Sequence, residues 1–205
     1  MEVFPATDPA AIDAAIGALW AGGIVGIPTD TVYGIAVLPL AEPLQAVLVA
    51  KQRPAEKGIA LMVDSIAQIE AFAVLPPAAT RLAERFWPGP LTLVLEPLPD
   101  IALPSPLYGI TGRLGFRVPD HPVPRAIAAR IGPIAVTSAN VSGEPDSLTA
   151  GQLVAAIGDS LSLVLDGGPT EGGVPSTVVA VEPDGTWTVL REGALTDAAI
   201  RDALA

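Results

Sequence analysis

The sequence has 205 residues, half of them hydrophobic, which predicts a single domain spanning residues 1–205 with a substantial core. The absence of cysteine and the presence of one histidine, His121, exclude disulfides, thiol catalysis and metal sites built from cysteines or several histidines. A net charge of −11 argues against a large nucleic-acid interface, because such an interface normally needs a basic face.

Apolar periodicity predicts a chain of alternating helices and strands. A first helix is predicted to begin near Thr7-Asp8-Pro9, where a capping residue and a proline precede apolar residues at helical spacing, and to end at Gly22-Gly23. Further helices are predicted over residues 42–52, 66–72, 78–86, 123–131, 152–157 and 198–204. Strands are predicted over residues 24–27, 59–63, 91–95, 114–118, 134–136, 161–165, 177–181 and 187–190.

This order of elements predicts an α/β fold with a largely buried, twisted sheet. The last two strands flank Pro183-Asp184-Gly185 and are predicted to form a hairpin, so the sheet should be mixed. Residues 97–112 are rich in proline and glycine, which predicts a long, mobile loop. His121 precedes a helical pattern and is interpreted as a helix-start residue, with contact to a ligand as the alternative.

The amino-terminal segment shows neither a secretory signal nor a membrane span. Its first residues lack a basic region followed by an apolar one. The uncharged stretch over residues 14–29 is broken by two glycines and is shorter than the ~20 apolar residues that a membrane helix needs. We therefore expect a cytoplasmic protein.

Polar side chains collect where predicted strands end, which is where ligands usually bind in α/β sheets. These side chains are Thr29 and Thr31 after the first strand, Arg117 within a later strand, Ser138 and Asn140 after strand 134–136, and Arg191 at the end of the last strand. This group of hydroxyls, one amide and arginines is poorly suited to supply a catalytic nucleophile and the base that would activate it. It is well suited to holding phosphates and a carboxylate through charge-assisted hydrogen bonds.

The only two lysines, Lys51 and Lys57, flank Arg53 in an otherwise acidic chain. Three cations in so short a stretch predict a local anion site, with a solvated helix end as the alternative. Neither the phosphate-binding loop Gly-x-x-x-x-Gly-Lys-Ser/Thr nor the dinucleotide fingerprint Gly-x-Gly-x-x-Gly after a strand is present.

The other polar groups also have interpretations that need no ligand. Residues 28–31 could close an Asx- or ST-turn, and residues 138–143 could be a plain strand–turn connection. Arg117 could pair with a surface acid, since such pairs are common and weak.

Seven stretches of sequence carry a resemblance to a known family. They are "GGIVGIPTDTVYGIAV" (22–37), "KQRPAEKGIALMV" (51–63), "FWPGPLTLVL" (86–95), "GFRVPDHPV" (115–123), "IAVTSANVSGEPD" (134–146), "STVV" (176–179) and "LREGAL" (190–195). In this order and spacing they resemble the YrdC-like family, the threonylcarbamoyl-adenylate synthases, over nearly the whole chain. Because the sequence ends at Ala205, we expect the single-domain form, without the additional carboxyl-terminal domain of longer relatives.

The resemblance implies a fold and a reaction. The fold would be a YrdC-like twisted mixed sheet with surrounding helices and a concave ligand site. The reaction would convert L-threonine, bicarbonate or CO2, and ATP into threonylcarbamoyl-AMP and pyrophosphate. Mg²⁺ would accompany ATP, held mostly by phosphate and water with few protein ligands, so no metal site of the protein's own is expected. A partner transferase would then pass the threonylcarbamoyl group to tRNA, and direct tRNA binding should be weak or absent.

The resemblance also implies roles for individual residues. It implies Thr29, Thr31 and Ser138 at the threonine site, Lys51 and Arg53 as catalytic groups facing the triphosphate, and Lys57, Arg117, Asn140, Ser147 and Arg191 as further nucleotide contacts. Gly34 would let the backbone pass close to the pocket. Strand alternation places Ser138 and Asn140 on one face, from which both could donate hydrogen bonds to ligand oxygens.

The sequence departs from the family pattern at three positions and leaves two other functions open. Thr137 replaces a proline of some relatives, Met62 replaces a histidine, and Asp146 replaces a serine, with Ser147 one place later. A non-catalytic nucleotide- or RNA-binding module of the same fold is one alternative. A related carbamoyl-adenylate chemistry is another, as in hydrogenase-maturation carbamoyltransferases, although their cysteine-rich zinc motifs are absent.

Overall fold

A computed structural model describes residues 1–54 and 56–205 of the chain. Within these ranges one sheet contains ten strands in the order β1-β8-β2-β3-β7-β4-β6-β5-β9-β10. The strands are β1 Glu2–Pro5, β2 Val25–Ile27, β3 Gly34–Val37, β4 Ala60–Met62, β5 Leu91–Leu95, β6 Leu114–Arg117, β7 Ile134–Ser138, β8 Leu163–Asp166, β9 Thr177–Val181 and β10 Trp187–Arg191. Neighbouring strands are mostly distant in sequence, so the sheet brings residues from all parts of the chain together.

The sheet is mixed, as the sequence predicts. The pairs β1–β8, β2–β8, β4–β6 and β5–β9 are parallel, and the other pairs are antiparallel. The predicted hairpin is present, because β9 and β10 pair in antiparallel with Val181 opposite Trp187.

Helices cover both faces of the sheet. They are α1 Ala11–Trp20, α2 Ala41–Ala50, α3 Ile66–Ile69, α4 Pro77–Phe86, α5 Pro122–Ile131, α6 Ala150–Ile157 and α7 Asp197–Leu204. One apolar cluster joins α1 and α5 to the sheet through residues such as Leu19 and Ile127. A second cluster joins α2, α4, α6 and α7 to the other face through residues such as Leu44, Leu82 and Leu153. Val, Leu, Ile and Ala dominate both cores, as the low aromatic content requires.

Several element boundaries differ from the predicted ones for local reasons. The first helix begins at Ala11 instead of Thr7, because Asp8 Oδ1 accepts the Ala10 N–H at 2.8 Å and forms a separate turn before the helix. The helix predicted over residues 66–72 ends at Ile69, and Ala73 instead forms an isolated bridge with Pro97.

Two strands are absent from the sequence prediction, and two others, β7 and β10, are longer than predicted. β1 is a short edge strand with mostly exposed side chains, and β3 is buried throughout, so neither shows the alternation typical of a half-buried strand. β7 extends to Ser138 because that residue pairs with Gly34 of β3. His121 is the N-cap of α5, as predicted, and its Nδ1 accepts the Val123 N–H at 3.2 Å.

The predicted loop over residues 97–112 contains two 3-10 turns and packs against the segment that follows Arg53. Leu107 is buried, the Ile59 N–H donates to Pro106 O at 2.9 Å, and the Ile110 N–H donates to Glu56 O at 2.9 Å. Over the described ranges, the structure contains no helix with the length and apolar character needed to cross a membrane.

Candidate functional site

A concave cavity of about 320 Å³ opens where the β2–β3 loop, Arg53, the segment 56–62, the loop 97–112 and the ends of β7 and β10 meet. Six residues expected from the sequence line it: Thr29, Thr31, Arg53, Arg117, Ser138 and Arg191. Four other expected residues do not line it: Lys51, Lys57, Asn140 and Ser147. Gly34 also lines the cavity, and a Cβ there would lie 2.8 Å from a Val136 methyl, so the close backbone approach expected of this glycine is present.

The hydroxyl groups of Thr29 and Thr31 form hydrogen bonds within the turn that follows β2. Thr29 Oγ1 donates to Val32 O at 2.6 Å and accepts the Thr31 and Val32 N–H groups at 3.1 and 3.3 Å. Thr29 therefore closes an ST-turn, and its hydroxyl proton is already used within that turn. Thr31 Oγ1 lies 3.1 Å from Thr29 Oγ1 and is also buried.

Arg117 holds the same turn through direct contacts with its side chains. Its Nη2 forms an ion pair with Asp30 Oδ1 at 2.6 Å, its Nη1 donates to Thr31 Oγ1 at 3.0 Å, and its Nε donates to Gly89 O at 3.1 Å. The acid that pairs with Arg117 is thus a largely buried residue of the turn itself and not a surface acid. Burial lowers the pKa of Arg117, and the Asp30 carboxylate opposes that shift.

Arg53 and Arg191 supply positive charge to the cavity, and both donate hydrogen bonds to backbone carbonyl groups. Arg53 donates to the backbone at Lys57 O and Gly58 O, at 3.1 and 2.9 Å, and Arg191 donates to Ser176 O at 2.7 Å. Neither forms an ion pair with any residue that the structure describes.

Three of the arginines that line the cavity, Arg53, Arg117 and Arg191, are also coupled through their charges. Burial lowers the pKa of Arg53, and the charge of Arg191 lowers it further. Arg191 has the same secondary effect on Arg117, after burial as the main cause. Arg191 thus repels both Arg53 and Arg117 at one cavity, and such a concentration of positive charge suits an anion with several charges.

Lys51 and Asn140 lie behind the cavity wall. Lys51 Nζ donates to Ser138 O, Asn140 O and Asn140 Oδ1, and the last distance is 3.2 Å. Ser138 Oγ donates to Asn140 Oδ1 at 2.6 Å, and Asn140 Nδ2 donates to Glu144 O. Of the two residues expected to face the ligand, Ser138 lines the cavity and Asn140 does not. Ser147 is buried, and its Oγ donates to Ala139 O at 2.6 Å.

The cavity contains polar residues that the sequence prediction omits. Thr92 Oγ1 and Ser176 Oγ lie 2.9 Å apart in its wall, and both side chains are buried. Thr92 lies in the motif "FWPGPLTLVL" and Ser176 in the motif "STVV". The alternation of side chains along a strand does not by itself distinguish a hydroxyl that faces a pocket from one that lies in the core. Arg113 also lines the cavity, but Glu182 holds it in a bidentate ion pair and Glu96 lies 3.4 Å away.

A model of the Sua5/YciO/YrdC family, described as telomere recombination, matches residues 17–193. The chain belongs to this family. A relative named putative threonylcarbamoyl-AMP synthase, from Mycobacterium tuberculosis, is 36% identical over 209 residues, covering 99% of this chain and 95% of that protein. The threonylcarbamoyl-AMP synthase of Bacillus subtilis is 36% identical over 176 residues, covering 84% of this chain and 50% of that protein.

The solved structures that resemble the chain include a member of the same Sua5/YciO/YrdC family with an amino acid bound. The crystal structure of P. abyssi Sua5 complexed with L-threonine has a TM-score of 0.87 and 34% sequence identity, and it covers 94% of this chain and 57% of that chain. The YrdC-like family and the twisted mixed sheet with a concave site, both expected from the sequence, are therefore confirmed.

The acidic residues at the cavity allow only limited protein ligation of a metal. Within residues 1–54 and 56–205, no group of three or more His, Cys, Asp or Glu side chains could hold a metal ion. Two acids, Glu56 and Asp146, line the cavity. This donor set fits Mg²⁺ that arrives with a nucleotide, because Mg²⁺ usually keeps several waters and binds substrate phosphates and one or two carboxylates.

Proposed function

We propose that the chain is a threonylcarbamoyl-AMP synthase, a nucleotidyltransferase that joins a carbamate of L-threonine to the AMP part of ATP. The names of its relatives, over 95% of the length of the Mycobacterium tuberculosis protein, support this function. The L-threonine in the related P. abyssi Sua5 structure supports the amino acid as a substrate.

The arginine cluster is the observation that carries the proposal. Arg53 and Arg191 face a cavity in a chain of net charge −11, and no carboxylate pairs with either of them among the described residues. A triphosphate would relieve their mutual repulsion and accept the N–H groups of both. We assign Arg53 and Arg191 to the phosphates. Lys57 is close to Arg53 in the sequence, but it does not line the cavity.

The hydroxyl-rich side of the cavity suits the amino acid. Arg117 there holds Thr31 and Asp30, and Thr29 and Ser138 complete the wall. We assign this side to L-threonine. Because Asp30 already pairs with Arg117, the guanidinium serves a carboxylate ligand only through the part of its surface that faces the cavity.

The reaction needs no enzyme nucleophile. The threonine amine attacks the carbon of CO2, which forms the C–N bond of the carbamate and releases a proton. A carbamate oxygen then attacks the α-phosphorus, the bond from that phosphorus to the bridging oxygen breaks, and pyrophosphate leaves with the electron pair. Both steps depend on positioning and on stabilising phosphate charge, which fixed arginines provide.

Mg²⁺ would neutralise charge on the phosphates when bound with ATP, with Asp146 and Glu56 as the carboxylates that face the cavity. Asp146 already acts on one of the phosphate-facing arginines, since its charge opposes the lowering of the Arg191 pKa by burial.

The product is a mixed anhydride of a carbamic and a phosphoric acid, which reacts readily with water. We therefore propose that a partner transferase accepts it and passes the threonylcarbamoyl group to tRNA, and that both proteins act in the cytoplasm. The alternative of a non-catalytic binding module has no observation of its own in its favour.

Pyrophosphate release tests the proposal directly. The purified chain would be incubated with ATP, Mg²⁺, bicarbonate and one amino acid at a time. The synthase predicts release that requires threonine and bicarbonate together. Release with carbamoyl phosphate and no amino acid would instead indicate carbamoyl-adenylate chemistry, and ATP binding without any release would indicate a binding module.

A further inference from the structure

Lys51 is a buried cation whose hydrogen-bonding capacity is fully used. It follows the last residue of α2, and only 1% of its surface is exposed. An ammonium group has three N–H donors. Its three acceptors are Ser138 O, at the end of β7, and Asn140 O and Asn140 Oδ1, in the turn that follows. No N–H donor of Lys51 is left for a phosphate of a ligand.

Lys51 and the residues around the end of β7 exchange hydrogen bonds, with donors on both sides. The Ser142 N–H donates to Lys51 O at 2.9 Å, so the backbone of Lys51 also holds the turn. Asn140 Oδ1 receives Lys51 Nζ and Ser138 Oγ, while Asn140 Nδ2 donates to Glu144 O. This arrangement fixes the orientation of the Asn140 amide, because only its oxygen can accept from an ammonium group. Ser138 is the member of this network that lines the cavity.

The burial of Lys51 is energetically unfavourable without a compensating role. None of the ion pairs among the described residues includes it. Burial and, to a smaller extent, the neighbouring charge of Arg53 lower its pKa to about 8, and the charge of Asp146 opposes both. A cation kept in such a place beside a cavity indicates a functional requirement for its geometry.

We propose that Lys51 is a positioning residue, which holds the Ser138–Asn140 turn against the end of α2 and thereby sets the position of the Ser138 hydroxyl in the cavity wall. Lys51 then acts on the ligand through this turn, and Arg53 alone of the Lys51-x-Arg53 pair faces the cavity. This inference rests on the proposed function, because it assumes that the turn forms part of the site for the nucleotide and the amino acid.

The first test needs no activity, since the chain has only two lysines and each gives one resonance after labelling with [ε-¹³C]lysine. A Lys57→Arg variant assigns the two signals. The charged groups that act on Lys51 are Arg53 and Asp146, and Asn140→Asp adds a carboxylate at the Oδ1 contact. We expect a pH titration of Asn140→Asp to show a higher pKa for Lys51 than in the wild type. An unchanged titration would overturn the contact on which the proposal depends.

The second test measures MgATP affinity by calorimetry in a double-mutant cycle. If Lys51 acts through the turn, Lys51→Met and Asn140→Ala combined should weaken binding by clearly less than the product of their separate effects. The control cycle pairs Lys51→Met with Arg191→Ala, whose effects should multiply. Multiplicative losses in both cycles would overturn the proposal in favour of a direct phosphate contact.

Lys51→Arg keeps the charge but not the three-point geometry, and it serves if Lys51→Met does not fold. We expect it to weaken MgATP binding at least 5-fold, whereas affinity equal to wild type would show that charge alone matters and would overturn the proposal. If the wild-type chain binds no MgATP, the proposed function fails, and the lysine titration still decides whether the positioning contact exists.

Discussion

Arg53 and Arg117 are both arginines of the cavity wall, but their partners differ, and so do the expected effects of losing them. Arg53 donates only to backbone oxygens at Lys57 and Gly58, which can turn to water when the side chain is absent. Arg117 neutralises Asp30, which is itself largely buried. The first substitution should therefore affect ligand binding, and the second should affect folding as well.

Arg53→Ala should weaken MgATP binding roughly 10–150-fold, since a hydrogen bond to a charged group contributes about 1.5–3 kcal/mol. Its melting temperature without ligand should stay close to that of the wild type. Calorimetric titration with MgATP measures the effect, and Arg125→Ala, at an exposed position of α5, is the control. Wild-type affinity in Arg53→Ala would remove this residue from the phosphate site.

Arg117→Met should destabilise the empty protein by roughly 3 kcal/mol, because Asp30 would remain buried without its counter-charge. For a chain of this length the melting temperature should fall by roughly 6–12 °C. The double variant Arg117→Met/Asp30→Asn should recover part of the loss, since it removes the uncompensated charge. Thermal melts of the three proteins measure this, and an undisturbed melt of the single variant would contradict the role of the ion pair.

At the scale of elements, the sequence predicted most helices and strands but not the contacts that shape the cavity. Strand 91–95 and strand 177–181 have their predicted bounds, because flanking Pro and Gly residues mark their ends. The ion pair of Arg117 with Asp30 joins residues far apart in sequence, and no periodicity indicates which acid an arginine selects. Likewise, the burial of Lys51 depends on where the turn that follows β7 lies in the folded protein. The local sequence pattern therefore predicts only a cluster of cations.

At Gly109, the loop 97–112 passes close to the backbone of the segment 56–59. Gly109 has a φ of +56°, and a Cβ there would lie 2.5 Å from Gly58 N and 2.8 Å from Glu56 O. Gly112 has a φ of +69° with nothing within 4 Å of its Cβ position, which makes it a matched control. Any effect of Gly109→Ala beyond that of Gly112→Ala therefore reports the contact between the two segments.

Gly112→Ala should cost about 1–2 kcal/mol from left-handed backbone strain alone. Gly109→Ala should cost a further 1–3 kcal/mol, approximately, from overpacking. It should also weaken ligand binding, since Gly58 and Gly109 both line the cavity. Urea denaturation and ligand-induced thermal shifts measure the two effects. Equal losses in both variants would contradict a packed contact between the loop and segment 56–59.

For the whole molecule, the order of the ten strands could not be predicted from the sequence. Consecutive strands such as β3 and β4 are separated in the sheet by β7, which arrives much later in the chain. The local sequence pattern predicts the helices and strands, whereas the order of the strands in the sheet depends on which apolar faces pack together. The resemblance to a family supplied the expected site because its motifs lie on strands that the fold brings to one cavity.

The charge distribution of the whole molecule predicts weak direct binding of tRNA. Of the cations, Arg53, Arg113, Arg117 and Arg191 face the cavity, and the net charge of the chain is −11. Few tRNA phosphates could therefore be neutralised on the outer surface, and RNA affinity depends mainly on such contacts. A mobility-shift titration at physiological salt should give a dissociation constant weaker than about 10 μM, by comparison with the usual range of non-specific binding.

A salt series and a competition experiment separate the two possible sources of any tRNA binding that is seen. Binding through the cavity arginines should be competed by MgATP and reduced in Arg191→Ala. Binding on the outer surface should persist with MgATP present and fall steeply as salt rises, because counterions are released from many phosphates. Tight, salt-sensitive binding that MgATP does not displace would contradict the charge argument. It would also favour an RNA-binding module over an enzyme that leaves tRNA to its partner.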